Sequence, residues 1–360
     1  MSPKFIRPGL RLLDALAGPH GVDGFLEQVD PLLATGERRA EVAAVERGTE
    51  ESVTLTLRPN RAWEGFRAGQ FVQVEVEIDG ARHRRCYSPA SPEGRRPELE
   101  ITVKRHPEGL VSNFLVDRAE TGMVLGLSAA EGDFQLPRPW PDSILLIGGG
   151  SGITPLTAIL RTVFAAGYDR PVALLHYAPD PARAIYRAEL ERLAARRPGF
   201  RLLRSYTRAR GAGELDGHFS PRHLPRSEPC FAEAETFACG PPALLDAVRG
   251  TWANGLEHRL HVESFVPPDL SPAGEPGEGT VRFAASGVEV ANSGASLLEQ
   301  AEDAGVPASF GCRMGICHTC TRRKLAGTHR NLITGETSSE PDEEIQLCVS
   351  AALGDLALVL

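Results

Sequence analysis

The 360-residue sequence contains no apolar run close to the roughly 18 residues of a membrane-spanning helix. It also has no long tract of lysine and arginine, and its net charge is −8, so nucleic acid is not the expected partner. No internal repeat is found. With 42% hydrophobic and 24% charged residues, the composition is that of a globular protein rather than a disordered or fibrous one.

Cysteine is scarce as well, with seven in the chain. An odd number does not suit a framework of paired disulfides, so reduced thiols and a cytoplasmic location are expected. A secretory signal is not expected either, because Pro8, Arg11 and Asp14 interrupt the apolar N-terminus. Its apolar residues could form one face, which either packs on the protein or, as the alternative, contacts a membrane surface or a partner. They are Phe5, Ile6, Leu10, Leu12, Leu13 and Leu16.

The chain is too long for one hydrophobic core, so two or three domains are expected after an N-terminal extension, residues 1–37. From 38 to 138, short alternating strands are bounded by turn residues, with one helix at 109–119. This pattern is typical of an antiparallel β-barrel. From 139 to 266, strands alternate with helices, which indicates an α/β domain with a parallel sheet.

The segment 267–280 is rich in proline, glycine and acidic residues and has no periodicity, so it is interpreted as a linker. Residues 281–360 begin with a predicted hairpin and helix and then carry most of the cysteines. We expect a third, small α+β domain there.

Three of the cysteines stand within nine positions, in the spacing Cys312-x4-Cys317-x2-Cys320, and Cys348 follows 28 residues later. A plant-type 2Fe-2S cluster uses this arrangement, in which one loop supplies three thiolates and a distant position supplies the fourth. The stretch also contains two glycines, which can adopt a left-handed backbone and let N–H groups approach the sulfurs. They are Gly311 and Gly315.

Other kinds of site fit this cysteine pattern less well. A structural zinc site normally pairs two short Cys-x2-Cys segments. A Rieske centre needs two histidine ligands, and His318 has no matching partner. Unrelated free cysteines would not cluster among glycines in this way. The spacing therefore favours a 2Fe-2S cluster, which carries single electrons.

Five further motifs precede the cysteine-rich stretch 309–320. One of them, GGGSGITP, follows a buried strand and opens a helix, where free N–H groups can bind a pyrophosphate. It departs from the usual dinucleotide fingerprint, because Ile153 stands where a third glycine is normally found. The motifs are RCYS (85–88), GLVSNFL (109–115), GGGSGITP (148–155), CGPP (239–242) and HVESF (261–265).

On these motifs, residues 38–268 resemble the ferredoxin-NADP reductase family, and residues 281–360 resemble plant-type ferredoxins. The order of domains resembles the fused reductases of oxygenases and fatty-acid desaturases whose ferredoxin lies at the C-terminus. The resemblance implies a flavin-binding β-barrel, a nicotinamide-binding α/β domain and a β-grasp ferredoxin domain. It also implies cluster ligation by Cys312, Cys317, Cys320 and Cys348.

The resemblance assigns the flavin contacts. Tyr87 is expected to lie against the isoalloxazine, Ser88 near the reactive N5, and Arg85 against the pyrophosphate, for which a planar guanidinium is well suited. The turn at the start of the 109–119 helix is expected to hold the diphosphate. Two phosphate-binding elements favour FAD over FMN, which has no diphosphate. The further positions are Val103 and Lys104 on a nearby strand and Gly109, Val111 and Ser112 at the turn, where Ser112 as a plain N-cap is the alternative.

The nicotinamide contacts are assigned in the same way. The glycine loop is expected to bind the cofactor through Gly149, Gly150, Gly152, Thr154 and Pro155. Cys239, with Gly240 and Pro241, is expected near the nicotinamide C4, and a buried structural cysteine is the alternative. Glu263 and Phe265 are expected beside the flavin, and with Ser88 and Cys239 they complete the candidate catalytic set. Arg208 favours NADPH, while NADH stays open.

The resemblance thus implies a relay in which NAD(P)H supplies a hydride to the flavin and the cluster receives single electrons. The extension and the segment 57–91 resemble reductases of membrane fatty-acid desaturases, which we take as the expected partner. The alternative is the reductase component of a Rieske or other oxygenase, of ring-hydroxylating or steroid type. A hypothesis of another class is an iron-sulfur redox sensor.

Overall fold

The computed structural model describes residues 30–33, 37–94, 97–227, 231–253, 255–266, 277–315 and 318–360. Within them the chain forms two compact units, one ending at Phe265 and the other running from Val266 to Leu360. The apolar face expected near the N-terminus and most of the expected linker lie outside these residues. Among the residues described, no helix has the length and apolar character to cross a membrane.

The first half of the larger unit is an antiparallel barrel, as expected. Six strands are hydrogen-bonded in the order β4-β3-β6-β1-β2-β5, and a bridge between Pro89 and Ile101 joins the end of β4 to β5. Alternating apolar residues fill the interior, since side chains of a strand point to opposite faces. The elements are β1 (Arg39–Thr49), β2 (Ser52–Pro59), β3 (Val72–Ile78), β4 (Ala81–Tyr87), β5 (Leu99–Lys104), α1 (Leu110–Arg118) and β6 (Val124–Leu127).

The second half is a parallel sheet in the order β11-β10-β7-β8-β9. The strands β7 and β8 are buried along their whole length, which is typical of central strands covered on both faces. The strand β7 comes first in the sequence and lies in the middle of the sheet. The chain adds β8 and β9 on one side and then β10 and β11 on the other, which leaves a crevice at the carboxyl ends of β7 and β10. The elements are β7 (Ile144–Gly149), α2 (Ile153–Ala165), β8 (Val172–Ala178), α3 (Arg187–Arg196), β9 (Phe200–Tyr206), β10 (Glu235–Cys239), α4 (Pro242–Trp252) and β11 (Leu260–Glu263).

The smaller unit is a mixed sheet in the order β13-β12-β17-β14-β15, with β16 paired to β14 and one helix. The expected hairpin is β12 and β13, and the helix starts with a capping box between Ser296 and Glu299. This confirms an α+β fold. The elements are β12 (Thr280–Phe283), β13 (Val288–Ala291), α5 (Leu297–Asp303), β14 (Thr321–Asn331), β15 (Thr337–Ser338), β16 (Glu343–Gln346) and β17 (Ser350–Leu358).

The barrel and the parallel sheet are joined by the guanidinium group of Arg161, on α2. Its Nη1 donates to the carbonyl oxygen of Ala90 at 2.9 Å and to Oε1 of Glu100 at 2.7 Å, both in the barrel. Its Nε and Nη2 donate to the carboxylate of Glu189 on α3, at 2.7 and 2.6 Å. One side chain thus links two helices of the nicotinamide domain to the barrel segment that follows Ser88.

Tyr186 extends this interdomain contact. Its hydroxyl donates to Oε1 of Glu100 at 3.0 Å and shares a hydrogen bond with Thr102, while the guanidinium of Arg161 lies 5.0 Å from its ring centre. Its backbone φ is 59°, a left-handed conformation that a bulky residue seldom adopts. We call Arg161, Glu189, Tyr186, Glu100 and Thr102 the interdomain network.

We predict that Arg161→Met lowers the free energy of unfolding of the intact chain by about 3 kcal/mol, because it leaves the Glu100 and Glu189 carboxylates partly buried without their cation. Urea unfolding followed by circular dichroism measures this change. The control is Arg170→Met, which removes an exposed pair with Asp142 and should cost less than about 1 kcal/mol. Equal costs for the two variants would contradict the importance of the network.

Candidate functional site

Three of the four candidate catalytic residues meet at the crevice between the barrel and the parallel sheet. Cys239 ends β10 and Glu263 ends β11, and the two are register partners. Ser88 follows β4, and its hydroxyl is close enough to the Glu263 carboxyl to lower the pKa of that group. Neither Ser88 Oγ nor Glu263 Oε2 has a well-oriented hydrogen-bond partner among the described residues, although both atoms are buried. Phe265, the fourth residue, is 37% exposed at the end of the unit.

Burial controls the protonation of the Glu263 carboxyl and the Cys239 thiol. It raises the pKa of Glu263 to about 8, with the Ser88 hydroxyl acting in the opposite direction. The whole Glu263 side chain is only half-buried, but its Oε2 is shielded from solvent, and this shielding sets the pKa. Burial, and then the Glu263 carboxyl, raise the pKa of the Cys239 thiol well above its usual range. The site therefore holds a neutral thiol and a carboxyl that is largely protonated at pH 7.

The RCYS motif lies where β4 leaves the barrel. Tyr87 packs half-buried against the barrel core, and this burial raises its pKa, while the Arg85 guanidinium lowers it. The ring is uncharged, and the next residue, Ser88, has a buried hydroxyl near the Glu263 carboxyl. Buried polar atoms and an uncharged aromatic ring are groups that suit the polar edge and the flat face of an isoalloxazine.

The helix α1 has Gly109 as its N-cap, and no side chain caps it. This corrects the alternative in which Ser112 is the cap. Its hydroxyl instead donates to the carbonyl oxygen of Gly109 at 3.2 Å and accepts from the His106 N–H at 3.2 Å. A Cβ at Gly109 would lie 2.3 Å from Ser112 Oγ and 2.9 Å from Cβ of His106, so a larger residue there would require these side chains to shift. The helix start is free of side-chain caps, as a phosphate-binding turn requires.

Three expected flavin-side positions are less accessible than the sequence suggested. Val103 and Val111 are fully buried in the barrel core, so their side chains cannot contact a cofactor and only their backbone groups could. This limits the expected role of both residues, because strand and helix periodicity turned their side chains inward. Lys104 is half-buried, and its Nζ lies 3.8 Å from Oε2 of Glu51.

The glycine loop and the CGPP turn touch each other at the carboxyl ends of β7 and β10. A Cβ on Gly152 would lie 2.2 Å from the carbonyl oxygen of Cys239, and one on Gly240 would lie 3.1 Å from the Cα of Gly149. Side chains at these positions would separate the two strand ends. Gly150 differs, because its φ is +58° and a Cβ there would meet nothing within 4 Å. This open glycine fits close approach of a dinucleotide phosphate.

The residues after each turn start the helices. Thr154 is buried and donates through Oγ1 to the carbonyl oxygen of Ser151 at 3.0 Å, which closes the loop. Pro155 lies in the first turn of α2, and Pro241 is the N-cap of α4, positions where a missing N–H costs nothing. Neither helix has a side-chain cap, so no side chain occupies the helix starts at the crevice.

Arg208, the residue expected to favour NADPH, and three other polar residues near the carboxyl ends of β8 and β9 differ in exposure and pairing. Arg208 is exposed beyond β9. Asp180 instead caps a short turn and pairs with Arg183, whose Nε also donates to Glu51 of the barrel at 2.9 Å. Ser205 is fully buried and donates to the carbonyl oxygen of Gly217 at 2.5 Å. Of these residues, Arg208 is exposed and Arg183 is partly exposed but paired with Asp180 and Glu51.

The cysteine region of the smaller unit brings three thiols together. Cys320 and Cys348 are buried and Cys312 is half-buried, while Cys317 lies outside the described residues. The pKa of Cys348 is raised by its hydrogen bond with Cys320, by burial and by Cys312. The described residues hold no set of three ligands around a single ion.

Backbone groups also approach the sulfurs, as the sequence predicted. The Met314 N–H donates to Cys312 Sγ at 3.3 Å, and the Gly315 N–H donates to Cys348 Sγ at 3.4 Å. Gly315 has φ +72°, and a Cβ there would lie 2.9 Å from Val349. Such N–H to sulfur bonds stabilise the negative charge of a bound cluster.

The sequence did not reveal the interdomain network. Arg161 lies in a helix as an ordinary charged residue, and its partner Glu100 is 61 positions away. One signal was available: an arginine on the buried side of a helix is energetically costly unless a carboxylate lies nearby to pair with it.

Three protein-family models match the chain in succession. The oxidoreductase FAD-binding domain matches residues 41–136, and the oxidoreductase NAD-binding domain matches residues 146–250. The 2Fe-2S iron-sulfur cluster binding domain matches residues 282–353.

Known proteins share this organisation. An NADPH oxidoreductase of Mycobacterium tuberculosis is 39% identical over 343 residues, covering 93% of this chain and 88% of the relative. A glycine betaine monooxygenase reductase subunit of Chromohalobacter salexigens is 32% identical, covering 81% and 87%. The solved structure of phthalate dioxygenase reductase aligns with a TM-score of 0.60 at 27% identity, covering 90% of this chain and 98% of that one.

The fold, the crevice and these matches define an NAD(P)H-dependent oxidoreductase that binds FAD and a 2Fe-2S cluster. The chain belongs to the ferredoxin-NADP reductase family, with a C-terminal plant-type ferredoxin domain in the arrangement of phthalate dioxygenase reductase. FAD and the cluster are thereby confirmed, whereas the individual contact residues and domain boundaries remain predictions.

The raised pKa of Glu263 predicts a pH-dependent effect of Glu263→Gln on stability. A carboxyl with a pKa of about 8 in the folded chain favours folding fully below its ordinary unfolded pKa, and this contribution is lost as pH rises through 8. The variant should therefore gain free energy of unfolding relative to the native chain between pH 5 and pH 9. Urea unfolding at fixed FAD concentration measures the difference.

The matched control is Glu120→Gln, which changes an exposed carboxylate and should show no such gain. A difference between the Glu263 variant and the native chain that stays constant from pH 5 to pH 9 would contradict the buried, protonated carboxyl.

Proposed function

We propose that the chain is the reductase component of an oxygenase, and that it passes electrons from NADPH through FAD and the 2Fe-2S cluster to that partner. FAD accepts a hydride and releases single electrons, which the cluster can carry one at a time. The observation that carries the proposal is the meeting of Ser88, Cys239 and Glu263 at the crevice, in a chain that also gathers the thiols of Cys312, Cys320 and Cys348.

The crevice residues have defined tasks in this proposal. The neutral Cys239 thiol and the protonated Glu263 carboxyl add no negative charge where a hydride moves. Ser88 and Glu263 supply buried polar atoms for the flavin edge, and the Tyr87 ring supports its face. Phe265 would cover the opposite face until the nicotinamide displaces it. Positioning and water exclusion are the protein's contribution, because the hydride chemistry belongs to the cofactors.

The relatives support an oxygenase rather than the fatty-acid desaturase that the N-terminal resemblance favoured. The Chromohalobacter salexigens relative is named as a monooxygenase reductase subunit, and the aligned structure is that of a dioxygenase reductase. We accordingly prefer the alternative reading, a Rieske-type or related oxygenase partner. We also propose cytoplasmic residence. A membrane contact through the extension has no support from the described residues.

A reconstitution experiment tests the choice of partner. The purified chain is supplied with NADPH and offered a Rieske oxygenase or a membrane fatty-acid desaturase from the same cell, and product formation is measured. We expect turnover with the oxygenase and none above the reductase-free control with the desaturase. Turnover of the desaturase alone would contradict the proposal, and turnover of neither would favour the redox-sensor hypothesis.

We further propose that Arg208 binds the 2′-phosphate of NADPH. Its exposed position beyond β9 and the internal hydrogen bonds of Asp180, Arg183 and Ser205 support this assignment. A guanidinium binds phosphate through several parallel hydrogen bonds, whereas the adenosine ribose of NADH offers only hydroxyl groups at this position.

Arg208→Ala should raise the KM for NADPH roughly tenfold, because a charge-assisted hydrogen bond is lost, and should change the KM for NADH little. Steady-state ferricyanide reduction with each nucleotide measures both constants. Arg210→Ala, at another exposed arginine two positions on, serves as the control. Equal increases for NADPH and NADH in the Arg208 variant would refute the assignment.

A further inference from the structure

The side chain of Gln346 joins the end of β16 to the loop that carries the first cysteines. Its Nε2 donates to the carbonyl oxygen of Gly315 at 2.8 Å and lies 3.2 Å from Nδ1 of His318. In the sequence, Gly315 and His318 stand on either side of Cys317, and Gln346 stands two positions before Cys348. One amide group thus connects two separate segments that each supply a proposed cluster ligand.

The chemistry of the amide determines the direction of both bonds. A carbonyl oxygen can only accept, so the group facing Gly315 is the NH₂ of Gln346. That NH₂ has two hydrogens, and the second is directed to Nδ1 of His318, which therefore accepts. Both donors of the amide are used on the same loop. The backbone of Gln346 is also fixed, because β16 pairs with β14 and Gln346 is the register partner of Thr321.

Gly315 is consequently held from two sides. Its carbonyl oxygen accepts from Gln346, and its N–H donates to Cys348 Sγ at 3.4 Å. Its left-handed φ of +72° orients the carbonyl group towards Gln346 and the N–H group towards Cys348. His318 is also left-handed, with φ 53°, which is unusual for a residue with a side chain and persists only where surrounding contacts maintain it.

We propose that Gln346 is a positioning residue of the 2Fe-2S site: its amide fixes the backbone at Gly315 and His318, so that the Gly315 N–H is aimed at the sulfur of Cys348. Gln346 itself does not bind iron. Its effect reaches the cluster through the N–H to sulfur bond, since hydrogen bonds to ligand sulfurs tune the reduction potential of a cluster. The inference rests on the proposed ligand set and is independent of the electron acceptor.

The test is Gln346→Met, which keeps the length of the side chain and removes both donors. We expect iron release to a chelator to become roughly tenfold faster, because two neutral hydrogen bonds are lost. We also expect the reduction potential of the cluster to shift and the electron paramagnetic resonance spectrum of the reduced protein to change. Gln346→Glu, which keeps the shape and loses the donors, should behave in the same way, and it replaces the methionine variant should that one fail to fold.

The matched control is Gln300→Met in the same unit. Gln300 also donates twice through Nε2, to Asn292 and Ala295, which lie outside the cysteine loop. It should lower the stability of the unit and leave the potential and the spectrum unchanged.

A potential, spectrum and release rate equal to those of the native chain in both Gln346 variants would overturn the proposal. Equal spectral changes in the Gln300 and Gln346 variants would also overturn it, because the effect would then be general destabilisation. A native chain that binds no iron would instead refute the ligand set.

Discussion

The electrostatic contact of Arg161 with Glu100 and Glu189 is the constraint on which the larger unit depends. Burial alone would lower the pKa of this guanidinium, but the two carboxylates reverse that effect and keep the cation charged inside the domain contact. Because Arg161 also binds the carbonyl oxygen of Ala90, it fixes the chain two residues after Ser88. Arg161 therefore helps to set the relative position of the proposed flavin motif and the nicotinamide domain, together with the contacts of Tyr186 and Arg183.

The crevice follows from that arrangement. Parallel strands place Cys239 and Glu263 side by side at the carboxyl edge of the sheet, and the barrel supplies Ser88 from the other direction. Closing these groups away from water raises the pKa of both the thiol and the carboxyl, so both are largely uncharged at the proposed site of hydride transfer. In the other unit, N–H groups at Met314 and Gly315 are directed at the sulfurs of proposed cluster ligands, where they would stabilise negative charge.

The parts predictable from sequence were those with a local pattern. Short alternating strands indicated the barrel, strands alternating with helices indicated the parallel sheet, and cysteine spacing indicated the cluster. Contacts between distant positions were not predictable: Arg161 with Glu100 spans 61 positions, and Gln346 with Gly315 spans 31. The sequence also did not reveal the direction of some side chains. Val103 and Val111 lie on elements expected near the flavin, but their side chains are buried in the core.

We expect electrons delivered by NADPH at the crevice of the larger unit to reach the cluster of the smaller unit. Anaerobic rapid mixing of the intact chain with NADPH measures this transfer, with flavin and cluster absorbance followed together. Flavin absorbance should fall first, and cluster absorbance should fall afterwards at a rate that does not depend on NADPH concentration. Cluster absorbance that stays unchanged while the flavin turns over would contradict it.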